Sequence, residues 1–190
     1  DHDLLEQQIA TLARSWSDDL HRELVNQVGE ESGNRLFSSC QPGFPVSYQQ
    51  DWSPRQGAHD LRRLNQAEQS GELGILLTRP AGSEQSSAEL RLYSRAQPIP
   101  LSDILPVIEN MGFKINSERP YRVQRHEQSR FWIHVFDLLA RSDLPGDLET
   151  RKHEFEQSLL MTWTGQAEND GFNRRVLGAG LNWRETALLR

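Results

Sequence analysis

Apolar residues in the first thirty positions recur every three or four places, the spacing that puts side chains on one face of an α-helix. These residues are Leu5, Ile9, Leu12, Trp16, Leu20, Leu24 and Val28. The pattern predicts one long amphipathic helix that ends at Gly29. We expect a short second helix from Ser32 and another from Asp60 to Ser70. Between them, residues 41–54 hold three prolines and predict an irregular connector.

The middle of the chain changes to a period of two, which is typical of β-strands. Leucine and isoleucine alternate with other residues at 73–78 and again at 89–95, and each run predicts a strand. A helix follows, with Ser102 as its expected N-cap, Pro106 in its first turn and Gly112 as its C-cap. Further strands are expected at 113–123 and 131–138. The latter is apolar on both faces, which indicates a central, buried strand.

The predicted order is therefore helix, two strands, helix, two strands. Four strands with two helices on one face give an α+β fold, a ferredoxin-like αββαββ sandwich in permuted order. Helical segments are expected to flank it on both sides. The corresponding domains are 1–57 (helical segment and connector), 58–140 (the sandwich) and 141–190 (helical segment). The predicted core consists of Ile75, Leu77, Leu90, Leu92, Ile104, Ile108, Ile133 and Val135.

The C-terminal third returns to helical spacing, with one stripe formed by Leu148, Phe155, Leu159 and Trp163. Asn182 and Glu185 have the spacing of a capping box, which predicts a last helix. This region has more apolar surface than a short helical tail needs for itself. We therefore predict that it docks on a neighbouring domain or subunit, outside the sandwich, through Phe155, Leu159, Trp163, Phe172 and Trp183. The alternative is that these residues pack on the first helix, whose stripe also needs a partner.

Composition and charge narrow the class of protein. Apolar residues make up 36% of the chain, with five Trp and seven Phe, which is enough to build a core. No apolar run approaches the roughly 20 residues of a membrane helix, and we expect a soluble cytoplasmic protein. Residues 1–31 carry eight acidic and two basic side chains, whereas the remainder balances. That distribution predicts a solvated helix face and excludes the basic surface of a nucleic-acid-binding protein.

No motif in the sequence assembles a catalytic, cofactor or metal site. Gly178 and Gly180 begin a dinucleotide-type fingerprint, but Trp183 stands where its third glycine belongs, so a junction between two helices is expected. His134 and Asp137 fall on opposite faces of a strand and cannot share a metal, and we expect a histidine hydrogen-bonded within the sheet. The single cysteine, Cys40, is expected to be a structural thiol.

Several runs of the sequence resemble one protein family. These runs are LSDILPVIENMGF at 101–113, ERPYRV at 118–123, FWIHVFDL at 131–138, AENDGFNRRVLGAGLNWRETALLR at 167–190 and RSWSDDL at 14–20. They are similar to the N-terminal half of the large bacterial NAD-dependent glutamate dehydrogenases, upstream of the catalytic core. The chain also begins without Met and ends inside an apolar-periodic run, so we expect it to be a piece of a longer protein.

The resemblance implies an ACT-like fold for the middle domain. It also implies a cytoplasmic, homo-oligomeric parent enzyme that deaminates glutamate oxidatively with NAD, whereas no catalytic residue is carried over to this chain. The expected function is a non-catalytic regulatory or structural module with no cofactor of its own. Its expected partners are neighbouring domains or subunits. The alternative is an amino-acid-binding allosteric sensor of the ACT type.

Overall fold

The computed structural model describes residues 2–40, 42–125, 129–141 and 148–189, with the side chains of the first helix described from Ser15 onward. Its helices are α1 His2–Val28, α2 Glu30–Ser39, α3 Val46–Asp51, α4 Pro54–Ser70, α5 Leu101–Asn110, α6 Leu148–Trp163, α7 Arg175–Ala179 and α8 Trp183–Leu188, with a 3-10 turn at Gly171–Arg174. Its strands are β1 Pro42–Gly43, β2 Gly74–Thr78, β3 Ser87–Arg95, β4 Phe113–Arg125 and β5 Ser129–Ala140.

The strands form one sheet in the order β1-β4-β5-β3-β2. β1 is only two residues long and pairs antiparallel with the end of β4, while the four longer strands make the antiparallel sheet of the α+β class. The predicted fold class and the order αββαββ from α4 to β5 are confirmed. The central position of β5 is also confirmed, because it lies between β4 and β3.

The chain divides into two compact units. The first comprises Asp1–Glu72, Tyr93–Gln97 and Tyr121–Ile133, and the second comprises Leu73–Leu92, Pro98–Pro120 and His134–Arg190. Strands β3, β4 and β5 each contribute residues to both units. The domain boundaries expected from the sequence, at 57/58 and 140/141, stay a prediction.

In the second unit, α5 and α6 bury one face of the strands. Six of the eight predicted core residues belong to this cluster, together with Phe113 of β4 and with Phe155 and Leu159 of α6. The helix that packs here beside α5 is therefore α6, whereas the sequence-based fold used α4. Both helices carry an apolar stripe, and the spacing of a stripe shows that a face is buried but not what covers it.

The other two predicted core residues, Ile133 and Val135, are buried but lie outside that cluster. Successive side chains of a strand point to opposite faces of the sheet, so residues of one parity share a face. On β5 the residues that join the cluster are Phe136 and Leu138. Ile133 and Val135 have the opposite parity and are fully buried as predicted, so β5 is buried on both faces.

The N-cap prediction for α5 was wrong, whereas Gly112 ends the helix in the left-handed conformation, with a φ of 98°, directly after the C-cap residue Met111. The helix begins at Leu101, and its N-cap is Pro100. Ser102 lies within the helix, where its hydroxyl donates to Asp103 Oδ1 at 2.9 Å. Pro106 is the sixth residue of the helix and is exposed on its surface. It costs the helix one backbone hydrogen bond.

An edge strand of the sheet is covered by a side chain. β2 is the last strand in the sheet order, and the backbone N–H of Leu77 donates to Glu156 Oε1 of α6 at 2.9 Å. Residues Ile75, Leu76 and Leu77 are all buried, as is unusual for an edge strand. Helix α6 thus supplies both an apolar cover and a hydrogen-bond acceptor to β2.

In the first unit, α1 packs against α2, α3 and α4. The predicted stripe is confirmed for Leu20 and Leu24, which are buried, whereas Leu5, Ile9 and Leu12 lie outside the described side chains. Contact with α4 is close at Gly57, where a Cβ atom would lie 2.7 Å from the Trp16 ring. A side chain at this position would therefore force the Trp16 ring to shift.

Asp60 of α4 carries a fully buried carboxylate in the first unit. It accepts hydrogen bonds from Tyr48 Oη at 2.5 Å, Tyr93 Oη at 2.9 Å and Gln56 Nε2 at 2.8 Å. These donors come from α3, β3 and α4. A buried charge is tolerated when hydrogen bonds replace its hydration, so this carboxylate ties the three elements together.

Ile108 of α5 tests the assignment of the second unit's core. Its side chain is fully buried in the cluster. Ile108→Asp should lower the free energy of unfolding by about 3 kcal/mol or more, because it buries a carboxylate without partners. Leu101→Asp makes a similar change at an exposed position of the same helix and should have little effect. Chemical denaturation of both variants measures the difference, and equal midpoints would contradict the assignment.

Candidate functional site

The last twenty residues of the described chain have a defined local structure. The 3-10 turn at Gly171–Arg174 begins at Asp170, whose Oδ1 accepts the N–H of Phe172 at 2.9 Å. The predicted capping box of α8 is confirmed. Asn182 Oδ1 accepts the N–H of Glu185 at 3.0 Å, and Glu185 Oε2 accepts the N–H of Asn182 at 2.9 Å. Reciprocal capping satisfies backbone donors that the first turn of a helix leaves free.

This C-terminal segment is anchored to α6. Val176 and Leu177 of α7 are buried in the same cluster as Phe155 of α6. Arg151 of α6 donates from Nη1 to the carbonyl oxygen of Leu177 at 2.7 Å. Gly180 ends α7 in the left-handed conformation, with φ of 69°. The Gly178–Gly180 stretch is therefore the junction between two helices that the sequence predicted.

Beyond this anchor, apolar side chains face solvent. Phe172 is 39% exposed, Leu188 86% and Leu189 51%. Phe172 lies near the guanidinium of Arg175, 5.7 Å from its ring centre, and Trp183 is half-buried beneath Arg184 at 5.0 Å. We call Phe172, Trp183, Leu188 and Leu189 the C-terminal apolar patch. Exposed apolar patches mark interaction sites, and these four residues are therefore the candidates for the docking that the sequence predicts.

The structure separates the five residues that were predicted to dock. Phe155 and Leu159 are fully buried, and Trp163 is half-buried against the same core. These three residues of α6 help to build the sandwich, so the prediction that the region from Leu148 lies outside the sandwich is wrong for α6. The side chain of Leu148 lies outside the described side chains. Only Phe172 and Trp183 remain as members of the patch, and docking through them stays a prediction.

The docking prediction made from the sequence did not include Leu188 and Leu189, which stand one after the other at the end of α8. Adjacent residues of a helix can share a buried stripe, as Val176 and Leu177 do in α7. The spacing of the run at 183–190 therefore could not show that these two leucines stay exposed.

The residues considered for chemistry lie apart in the structure. His134 is buried, and its Nε2 accepts the N–H of Ile99 at 3.1 Å, so the ring proton belongs on Nδ1, 2.8 Å from Glu118 Oε1. This confirms a histidine satisfied within the sheet. Asp137 instead accepts from the Ser117 hydroxyl near the surface. In the ranges that the structure describes, no group of three acidic, histidine or cysteine side chains could hold a metal ion.

Cys40 is a buried free thiol. Burial raises its pKa to about 12, although the nearby positive charge of Arg125 partly opposes that rise. Because the thiolate is the reactive form, a thiol with this pKa is unreactive near neutral pH. Cys40 therefore has a structural role.

None of the described helices has the length and apolar character needed to cross a membrane.

Comparison with known proteins shows three consecutive matches to one family. The models for glutamate dehydrogenase helical motif 2, the ACT3 domain and helical motif 3 match residues 23–67, 72–152 and 167–190. The NAD-specific glutamate dehydrogenase of Halomonas elongata is 40% identical over 186 residues. The chain belongs to the family of the NAD-specific glutamate dehydrogenases. The resemblance found in the sequence is thereby confirmed.

Two further glutamate dehydrogenases of this description match almost the whole chain. The one from Pseudomonas aeruginosa is 32% identical over 98% of the chain, and the one from Mycobacterium tuberculosis is 26% identical over 94%. The chain spans only 11–12% of the length of these relatives. The exposed apolar patch lies within the match to helical motif 3, after the match to the ACT3 domain.

The position of α6 in the core makes a prediction about truncation. A chain that ends at Ala140 loses Phe155 and Leu159, which cover the strands. It should therefore aggregate or lose its cooperative thermal transition, because the apolar face of the sheet is left open. A chain that ends at Trp183 keeps α6 and α7 and should retain the transition. Calorimetry of both products checks this, and a cooperatively melting product that ends at Ala140 would contradict it.

Proposed function

We propose that this chain acts as a non-catalytic regulatory and structural module of a larger NAD-dependent glutamate dehydrogenase. Such an enzyme oxidatively deaminates L-glutamate to 2-oxoglutarate and ammonia. The proposal rests on the three matches to glutamate dehydrogenase models, which follow one another along the chain. The names of the matched relatives support NAD as the cofactor of the larger enzyme, with the chemistry performed outside this module.

The C-terminal apolar patch is the proposed contact with the rest of that enzyme. Leu188 is the most exposed large apolar residue of the described chain, and Leu189 follows it. Covering Leu188 would contribute about 1.5–3 kcal/mol, and covering Leu189, which is 51% exposed, about half as much. Because the matched relatives are about eight times longer than this chain, they supply other domains that could cover the patch. A cytoplasmic, homo-oligomeric enzyme is part of the same proposal and rests on the family resemblance.

The two leucines can be tested in two settings. In the larger enzyme, Leu188→Ser with Leu189→Ser should lower the melting temperature and weaken assembly, because buried apolar contacts are lost. In the 190-residue chain the same change should leave the melting temperature unaltered, since both side chains are exposed there. Differential scanning calorimetry measures both effects.

A matched control is Leu101→Ser, which alters a leucine that is 41% exposed at the start of α5. It should be neutral in both settings. If the patch variant behaved like this control in the larger enzyme, the patch would not be a docking surface. If it destabilised the 190-residue chain as well, the loss would belong to the local fold.

Cofactor and effector binding distinguish the module from the alternative sensor. The match to the ACT3 domain is the observation that favours an amino-acid sensor. Calorimetric titration of the 190-residue chain with NADH should give no saturable heat, because the Gly178–Gly180 turn joins two helices rather than a strand and a helix. Micromolar NADH binding would refute that statement. Saturable binding of one of the common amino acids in the same experiment would favour the sensor.

A further inference from the structure

A groove in the first unit brings together three arginines that are distant in sequence. Arg35 of α2, Arg62 of α4 and Arg125 of β4 all line a cavity of about 550 Å³. None of the side chains that line it is acidic. The volume falls within the ~300–1,000 Å³ that is usual for small-molecule sites. The whole chain has a formal charge of −6, whereas the side chains that line this groove are neutral or positively charged.

Arg125 forms a rigid wall of the groove. It is only 3% exposed, and its Nη2 donates to Ser39 Oγ at 2.7 Å and to Asn65 Oδ1 at 3.3 Å. Its Nη1 pairs with Glu68 at 2.8 Å, so one carboxylate offsets its charge. Nε is buried and has no hydrogen-bond partner among the described residues. The guanidinium is therefore held in place before any ligand arrives.

The other two arginines are less committed. Arg62 donates only a long hydrogen bond of 3.4 Å to the neutral amide oxygen of Gln27, and it forms no ion pair with any residue that the structure describes. Arg35 pairs with Glu31 at 3.2 Å, but both side chains are largely exposed. An exposed pair of this kind is worth little and can open at small cost. Two guanidinium groups are thus available to an incoming anion.

We propose that this groove binds a small organic anion through a carboxylate or phosphate group. Guanidinium groups present paired N–H donors that match both head groups. The side-chain amides of Gln66 and Gln69 add donors, while Val28 and Leu36 provide an apolar wall for a short carbon skeleton. The site lies in the first unit, and it is independent of the docking role proposed above for the C-terminal apolar patch.

The 190-residue chain can be titrated with glutarate and, separately, with inorganic phosphate, at constant ionic strength set with chloride. We expect saturable heat with at least one of these probes, and the tighter one identifies the head group. Arg62→Gln should weaken that binding about tenfold or more, since one charge-assisted contact is lost. The melting temperature without ligand should not change, because Arg62 makes only the long contact to Gln27.

Arg63→Gln is the matched control, because it removes the same charge from the next position of α4, outside the groove lining. It should leave the affinity for the probe unchanged. If neither probe bound with saturable heat, the proposal would be wrong. It would also be wrong if both variants weakened binding equally, since that result would indicate general electrostatic attraction rather than contacts in the groove. Circular dichroism of each variant confirms that a lost affinity is not lost folding.

Discussion

The second unit depends on two helices that together cover one apolar face of the sheet. Strands β2, β3, β4 and β5 present apolar side chains to a common layer, and α5 alone is only ten residues long. α6 supplies the missing cover with Phe155 and Leu159. Burying one side chain of this size stabilises the folded state by about 1.5–3 kcal/mol. The gain from covering the sheet with α6 therefore exceeds any local conformational preference of the residues that form this helix. The C-terminal segment then follows, anchored through Val176 and Leu177.

The first unit is held together by polar contacts inside an aromatic layer. Tyr48 stacks on Phe44 with 4.4 Å between ring centres and meets Tyr121 edge-on at 5.1 Å. The carboxylate of Asp60 then fixes Tyr48 by its hydroxyl. Apolar contacts between rings are not directional, whereas a buried acceptor with defined donors favours one arrangement of the rings. Specific placement of α3 and α4 is the result, and α4 contributes Arg62 to the arginine groove.

The sequence reveals periodicity well and spatial partners poorly. Helical spacing and the alternation at 73–78 and 89–95 were sufficient to predict the element order, and the run at 131–138, apolar on both faces, was sufficient to predict the central strand. Whether α4 or α6 joins α5 could not be read, because both stripes have helical spacing. The groove was invisible for another reason. Its arginines lie at positions 35, 62 and 125, and a count of charges along the chain averages them with distant acids.

The contact between Glu156 and the N–H of Leu77 affects how the edge of β2 can pair with strands of other molecules. An open strand edge can recruit strands from other molecules, which leads to sheet extension and aggregation. At β2 one outward donor is already occupied by a carboxylate, and a newcomer would have to displace it and leave a negative charge in a poorly hydrated place. The edge of β2 is therefore a poorer template for pairing with a strand of another molecule than an edge whose backbone donors are all open.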